Sequence, residues 1–368
     1  MKFIIEKSNL LENLNKVSKA ITGKSNVDSL KGILIQVNDG KIIMMGSDLD
    51  LSIISFSTCE VIEPGSMLID AKMFIDIIRK LRNDKITISS EADTVSIQCV
   101  KSKFTVVKMD EKIYPKFPQQ DKSTQLSLSK ELFSRMINQV AFAVAQDDSR
   151  PILKGILFEL KSKMLHLVAL DGYRLAYSSN PVDIDIDGVS AVIDGKSLYS
   201  ISKLIDNNGD MKISITPNHI QFTFDNIIIS TRLLEGAFIK YESLLPSEFQ
   251  LDIQLNRIEL LESIERCTLI SPGNPVVKFH INESNILDIT SDSTKGKANE
   301  QVVISSYTGS ISELDIAFNG KYLIDILSNL EEDKLTFHFK NGVSAAICHP
   351  TNNSNIKQLI LPIRLTKN

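Results

Sequence analysis

The pentapeptide LKGIL occurs twice in this chain of 368 residues, at 30–34 and again at 153–157. The two copies lie 123 residues apart, and three such periods span the length of the chain. A second landmark keeps this spacing, because aligned segments place Lys72, Lys196 and Lys321 at steps of 124 and 125 residues. Solenoid repeats have periods of about 20–50 residues, so a period this long indicates three domains of one fold joined in series.

The repeat extends well beyond the pentapeptide. The second landmark reads SMLIDAKMFIDIIRKL (66–81), SAVIDGKSLYSISKLI (190–205) and LDIAFNGKYLIDILSNL (314–330). We therefore predict domains at 1–120, 121–247 and 248–368. Proline-bearing stretches at 111–123 and 241–250 are the predicted linkers.

Each copy shows the same order of hydrophobic patterns. An amphipathic helix comes first, at 8–21, 129–145 and 256–270, with Ser8, Ser129 and Asn256 as predicted N-caps. Short alternating or β-branched runs follow, then a second helix at the Ala-Lys or Gly-Lys landmark, then three more strand-like runs. Each domain thus reads roughly as β-α-β-β-β, twice over. This order predicts an α+β fold with two helices and two antiparallel sheets in each domain.

Composition places few limits on function but several on location. No run approaches the roughly 18 apolar residues of a membrane helix, and the first residues do not resemble a signal peptide. The four cysteines are scattered, without a C-x-x-C pair, which favours free buried thiols in a reducing compartment. We therefore expect a cytoplasmic protein.

Catalytic and metal-binding motifs are missing from the sequence. It has no phosphate-binding glycine loop, no dinucleotide fingerprint and no nucleophile elbow. The five histidines stand apart in strand-like runs, which is typical of surface or strand histidines. The acidic run DIDID (183–187) is followed by Gly188 but lacks the glutamate of a calcium loop, and it reads as a polar loop or strand edge. We expect no cofactor, no metal and no catalytic activity.

The charge is distributed unevenly along the chain. Residues 1–120 carry 17 basic and 15 acidic side chains, 121–247 carry 13 and 15, and 248–368 carry 11 and 15. The basic side chains concentrate on the predicted helices. Lysine and arginine are good helix formers and keep exposed faces soluble, which is one explanation. The other is a basic face that contacts phosphates weakly and without sequence preference.

Four motifs are specific enough to indicate a family. They are DDSRPILKGILFEL (147–160), LVALDGYRLA (167–176), LLEGAFIKYESLLP (233–246) and QLILPIRL (358–365). With them the chain resembles the bacterial DNA polymerase III β subunit, the replicative sliding clamp, over its whole length. The resemblance implies a non-catalytic homodimer, in which two crescents of three domains close into a ring around double-stranded DNA. It also implies as partners the DNA polymerase III α subunit, the clamp loader and other proteins with a clamp-binding motif.

The resemblance further implies a groove between the second and third domains that receives a partner's extended peptide. Apolar side chains would bury the peptide's anchors, and Arg174 and Arg364 would bond its polar groups. Tyr173 departs from the family pattern, which has histidine there. The matching positions are Leu153, Leu170, Gly172, Tyr173, Arg174, Leu175, Pro246, Ser344, Leu359, Leu361, Pro362, Ile363, Arg364 and Leu365.

Two further surfaces follow from the resemblance. The dimer interface would pair the strand near Phe104 and Val106 with Leu269 and Ile270 at a helix end, with Ile77 contributing. The expected DNA-facing residues are Lys24, Lys72, Arg79, Arg82, Arg150, Lys196 and Lys203.

A different class of protein also accounts for part of the sequence. An enzyme with a small-molecule cleft between the second and third domains would place Asp171, Tyr173 and Arg174 in that cleft. Against it, an Asp-Gly pair is first of all a turn signal.

Overall fold

The structure, a computed structural model, describes residues 1–23, 25–118, 123–206, 208–271, 273–282 and 285–364. Two of the predicted site residues, Lys24 and Leu365, lie outside the described residues. Among the described residues, no helix is both long enough and apolar enough to cross a membrane.

The order of elements repeats three times. In the first third of the chain the elements are β1 (Lys2–Glu6), α1 (Lys7–Val17), β2 (Gly32–Asn38), β3 (Lys41–Ser47), β4 (Leu51–Thr58), β5 (Glu60–Glu63), β6 (Gly65–Asp70), α2 (Ala71–Lys80), β7 (Lys85–Glu91), β8 (Thr94–Cys99) and β9 (Ser102–Val107). The middle third comprises β10 (Thr124–Ser129), α3 (Lys130–Val140), β11 (Gly155–Lys161), β12 (Met164–Leu170), β13 (Arg174–Pro181), β14 (Val189–Asp194), α4 (Gly195–Ser202), β15 (Asp210–Ile215), β16 (His219–Phe224) and β17 (Ile227–Arg232). The last third comprises β18 (Leu251–Asn256), α5 (Arg257–Thr268), β19 (Val276–Asn282), β20 (Ile286–Ser293), β21 (Gly296–Gly309), β22 (Glu313–Asn319), α6 (Gly320–Ser328), β23 (Lys334–Phe339), β24 (Ala346–Pro350) and β25 (Ile356–Ile360).

This order confirms the predicted pattern. The middle and last thirds each read β-α-β-β-β twice, and the first third adds only the short strand β5. The strand pairings are antiparallel, for example β3 with β4 and β12 with β13. The predicted α+β class is therefore confirmed.

The helices form where apolar residues recur at helical spacing. In α2, Ala71, Phe74, Ile75 and Ile78 are buried, which is one face of a helix, and the Asp70 carboxylate accepts a hydrogen bond from the Met73 amide at 2.7 Å. The predicted cap Asn256 is confirmed, since its side chain accepts from the Glu259 amide.

Two sequence predictions about helix ends are wrong. Ser8 does not cap α1, because the helix begins at Lys7 and its N-cap residue, Glu6, makes no side-chain capping bond. The predicted helices at 8–21 and 129–145 also end early. The chain tightens into 3-10 turns at Ser18–Ala20 and Ala141–Ala143, as often happens at the end of a helix.

The chain divides into two compact units that cut across the repeat. One unit comprises Met1–Glu131 with Lys203–Leu233, and the other comprises Leu132–Ser202 with the chain from Leu234 onward. Each unit joins part of the middle repeat to a neighbouring repeat through a continuous sheet.

The first unit holds two sheets. Its five-stranded sheet has the order β5-β1-β7-β8-β9, and its eight-stranded sheet has the order β10-β15-β16-β17-β4-β3-β2-β6. The junction between repeats is the antiparallel pair β17–β4, in which Ile229 lies opposite Ile53. Because β9 ends the five-stranded sheet, one of its edges stays without a strand among the described residues.

The second unit holds a twelve-stranded sheet of order β14-β11-β12-β13-β25-β24-β23-β18-β21-β20-β19-β22. Here the pair β13–β25 joins the middle and last repeats, with Ala176 opposite Gln358. A core of buried apolar side chains lies between this sheet and helices α5 and α6, and it includes the edge-to-face pair Phe279 and Phe318 at 5.6 Å between ring centroids.

Candidate partner-peptide groove and its surroundings

A tight turn between β12 and β13 builds the centre of the predicted groove. The Asp171 carboxylate accepts hydrogen bonds from the amides of Tyr173 and Arg174, at 2.9 and 3.0 Å, and Gly172 has a φ of +95°. Only glycine adopts such a backbone angle at little cost, which is why Asp-Gly stands here. The turn leaves the Tyr173 side chain 62% exposed.

The Arg174 side chain fixes this turn to the elements around it. It is only 7% exposed, and its guanidinium donates to the carboxylates of Asp171 (3.0 Å) and Asp325 (2.5 Å) and to the Phe142 carbonyl (2.6 Å). The guanidinium also stacks over the Tyr322 ring at 4.4 Å. Arg174 thus joins the turn to α6 and to the 3-10 turn after α3.

Electrostatics at this position favour a neutral Tyr322. Burial raises the pKa of its hydroxyl, and the nearby Asp171 carboxylate raises that pKa further. The Tyr322 ring lies 6.3 Å from the Tyr173 ring, measured between centroids. Two aromatic rings therefore stand beside the turn, one of them largely exposed.

Four of the predicted groove residues meet in one apolar cluster, which also includes Ile347 and Tyr241. Pro246 and Ser344 are half-buried, while Leu361 is 42% exposed. The buried cluster members from the prediction are Leu153, Leu170, Leu175 and Leu359.

The C-terminal segment follows the edge of this cluster. Strand β25 ends at Ile360, directly before the Leu361–Pro362 pair. The Leu361 amide then donates to the Tyr173 carbonyl at 2.9 Å, and the Ile363 amide donates to the Ala317 carbonyl at 2.7 Å. Ile363 is half-buried and Arg364 is exposed. Proline thus ends the strand, as its missing N–H requires.

The predicted DNA-facing residues that the structure describes are all exposed. They lie on α2 (Lys72 and Arg79), just after it (Arg82), before β11 (Arg150), on α4 (Lys196) and just after α4 (Lys203). Arg79 pairs with Asp76 at 3.0 Å. A Cβ added at Gly172 would lie 4.0 Å from Nη2 of Arg150, so this guanidinium lies beside the groove turn.

One cavity of about 410 Å³ lies on the helical side of the second unit. Lys196 and Tyr199 of α4 line it together with Phe142 and Val144. The carbonyl of Phe142 is also the acceptor for Arg174, so the cavity and the groove turn share one structural element.

The predicted dimer-interface residues fall on separate elements. Phe104 is 40% exposed on the edge strand β9, where Val106 is half-buried. Ile77 is half-buried on α2. Leu269, which follows α5, is 78% exposed, and Ile270 is half-buried.

Sequence reasoning missed contacts that depend on residues distant in the chain. Asp325, Tyr322 and Phe142 carry no sequence signal that links them to Arg174, because such contacts arise only from packing. The histidines do lie on strands, as expected, but they do not all stand apart. The Nε2 atoms of His338 and His349 lie 2.8 Å apart. The His280 imidazole bonds Asp315 at 2.8 Å.

Comparison with known proteins decides the family. Models of the N-terminal, central and C-terminal domains of the DNA polymerase III beta subunit match residues 1–118, 127–240 and 242–364. The chain belongs to the DNA polymerase III β subunit family. The resemblance predicted from its four motifs is confirmed.

Relatives share the full length of the chain. The beta sliding clamp of Bacillus subtilis is 32% identical over 378 residues, covering 99% of this chain and 100% of the relative. That of Halalkalibacterium halodurans is 30% identical, with coverage of 99% and 100%. The chain is accordingly a DNA sliding clamp, a processivity factor of a family without catalytic activity of its own, and the enzyme alternative is set aside.

Solved structures agree with this assignment. The crystal structure of the Bacillus subtilis clamp matches with a TM-score of 0.95 at 32% identity, covering 100% of both chains. A Pseudomonas aeruginosa clamp bound to griselimycin matches with a TM-score of 0.93 at 26% identity, covering 99% of this chain and 100% of that one.

Proposed function

We propose that two copies of this chain close into a ring around duplex DNA, and that the ring holds a replicative polymerase to its template. The domains are 1–120, 121–247 and 248–368, and the ring acts in the cytoplasm. Its partners are the DNA polymerase III α subunit, the clamp loader and other proteins with a clamp-binding motif. The observation that carries the proposal is the way in which successive repeats join.

Both junctions within the chain use equivalent strands. The last strand of the middle repeat, β17, pairs with β4, and the last strand of the final repeat, β25, pairs with β13. Strands β4 and β13 are aligned by the repeat. The strand at the same place in the last repeat is β21, and the last strand of the first repeat is β9. The same rule applied once more pairs β9 of one copy with β21 of a second copy.

The two strand edges are suited to this pairing. Strand β9 ends its sheet, with Phe104 and Val107 exposed. Residues 296–303 of β21 pair only with β20 among the described residues, and Val303 is 61% exposed. Edges of this kind pair readily with another chain. Leu269 and Ile270, with Ile77, would add apolar contacts beside the paired strands.

The mass of the particle in solution and its retention on circular DNA together test whether the ring forms. We expect a particle of about twice the 41.0 kDa chain mass by light scattering at micromolar concentration. After loading by a clamp loader, the protein should stay on closed circular DNA in high salt and leave once the DNA is linearised. A monomer, or equal retention on linear and circular DNA, would contradict the ring.

The partner groove is tested separately. We propose that a short peptide rich in glutamine and leucine binds across Leu361 and the buried cluster of Leu153, Leu170, Leu175 and Leu359. Because Leu361 is exposed, Leu361→Asp should leave the fold intact and weaken binding about tenfold or more, as loss of an apolar anchor does. The matched control is Leu49→Asp, at a residue 60% exposed in the other unit. Fluorescence anisotropy with a labelled peptide measures both, and equal affinities would argue against this groove.

A further inference from the structure

Two histidine rings face each other on neighbouring strands of the twelve-stranded sheet. His338 on β23 and His349 on β24 have their Nε2 atoms 2.8 Å apart, with ring centroids 4.8 Å apart and ring planes inclined at 29°. Both residues are half-buried. The adjacent residues Phe337 and Cys348 point into the core, so the histidines lie on the opposite face of the sheet.

The other nitrogen of each ring is held by an acceptor. Nδ1 of His338 lies 2.6 Å from Oδ1 of Asp252, and Nδ1 of His349 lies 2.7 Å from the Pro350 carbonyl. A carbonyl and an ionised carboxylate only accept hydrogen bonds, so both Nδ1 atoms carry the hydrogen. In the neutral rings the lone pairs of the two Nε2 atoms therefore face each other. This arrangement is repulsive unless a cation lies between them.

We propose that His338 and His349 bind a divalent transition-metal ion of the zinc class through their two Nε2 atoms. Imidazole nitrogen suits zinc, copper and nickel, and zinc takes it at about 2.0–2.1 Å. Tetrahedral geometry then sets the two Nε2 atoms about 3.3 Å apart, which small rotations of the two rings supply. Water completes the coordination.

The groups around the rings resemble the support of known metal sites. Ligand histidines usually donate their second N–H to a carboxylate or a backbone carbonyl, and Asp252 and Pro350 fill these two roles here. The Phe249 ring, 4.9 Å from the His338 ring, shields one side. Lys357 adds a positive charge near His349, which favours a moderate affinity over a tight one.

The test follows the side-chain nitrogens of the full-length protein by NMR during titration with zinc sulfate at neutral pH. The chain has five histidines, so all can be resolved. We expect the Nε2 resonances of His338 and His349 to shift together and saturate, while those of His166 and His219 stay unchanged. If neither His338 nor His349 shifts up to millimolar zinc, a proton alone bridges the rings and the proposal fails.

Four variants locate the ion by calorimetry. His349→Gln removes one ligand and should weaken zinc binding about tenfold or more. Asp252→Asn keeps both ligands but loses the orienting carboxylate, which should weaken binding about 10- to 100-fold. His219→Gln is the matched control and should bind zinc like the parent. The ligand atoms of His280, Glu313 and Asp315 lie within 4.8 Å of one another and offer another place for the ion. Loss of binding in His280→Gln, with binding kept in folded His349→Gln, would therefore overturn the assignment.

Discussion

At the scale of single residues, the guanidinium of Arg174 makes contacts within the chain that the family resemblance did not imply. The resemblance placed its guanidinium in contact with a bound peptide. In the structure the same guanidinium is directed to Asp171, Asp325 and the Phe142 carbonyl. We therefore propose that Arg174 positions the turn that presents Tyr173, and that Arg364, which is exposed, is left to contact a partner.

Replacing Arg174 tests this positioning role. Arg174→Met keeps the length of the side chain but leaves Asp171 and Asp325 without their cation, which should cost about 3 kcal/mol of unfolding free energy. Urea denaturation measures the loss. Arg174→Lys should lose less unfolding free energy, because it keeps the positive charge, although it loses the forked geometry of the guanidinium. The exposed Arg82→Met is the control, and an equal midpoint for Arg174→Met and Arg82→Met would contradict the role.

His280 gives a pH-dependent prediction. A hydrogen bond to Asp315 raises the pKa of His280 above its ordinary value. Because this pKa is higher in the folded than in the unfolded chain, protonation of His280 stabilises the fold fully below about pH 6.5. This stabilisation is lost as the pH rises through the folded-state pKa.

NMR titration checks the cause of that shift. In Asp315→Asn the midpoint of His280 should fall back toward about 6.5. His219, whose pKa is lowered mainly by burial, should keep its midpoint in the same variant. A midpoint of His280 that does not move would show that Asp315 is not the cause.

At the scale of elements, the strand edges decide how repeats join. The sequence predicts strands, but it does not say that β17 crosses to β4 or β25 to β13. These pairings depend on which edges remain open after each repeat has folded. The same consideration makes β9 the element from which the proposed dimer forms.

A substitution at one exposed side chain of β9 tests whether this strand forms the dimer interface. Phe104→Asp puts a charge on the proposed pairing edge and should shift the dimer toward monomer by tenfold or more in dissociation constant, because a buried unpaired charge is costly. Ile62→Asp is the matched control, since Ile62 is 48% exposed on β5 at the other edge of the same sheet. Sedimentation equilibrium distinguishes the two, and equal dimerisation would exclude β9.

At the scale of the whole molecule, a net charge of −4 coexists with exposed basic residues on helices. The negative net charge is compatible with DNA binding if the basic residues contact DNA only through its phosphates. Weak and sequence-independent contacts let a ring move along DNA, while closure of the ring prevents its loss.

Salt dependence measures those interactions with phosphate. We expect that Lys72→Ala with Arg79→Ala and Arg82→Ala weakens binding to duplex DNA. The slope of log affinity against log salt should become shallower by about 0.9 for each phosphate that the variant no longer neutralises. Lys41→Ala with Lys85→Ala removes two exposed strand lysines and serves as the control. An unchanged slope in the variant that lacks Lys72, Arg79 and Arg82 would place the DNA-binding surface elsewhere.

The sequence by itself determined the repeat, the two helices of each domain and the family. These follow from patterns that are local: apolar residues at helical spacing, as in Ala71–Lys80, or turn residues such as Asp171 and Gly172. Local patterns determine local structure because helices and turns depend mainly on residues that are close together in the sequence.

The tertiary structure alone decided the contacts between distant residues. Nothing in the sequence pairs Arg174 with Asp325, which lies 151 residues away, or sets His338 against His349 through their Nε2 atoms. It also decided that sheets run from one repeat into the next. Such contacts depend on which side chains and edges are left open after each repeat has packed, and packing is a property of the folded chain.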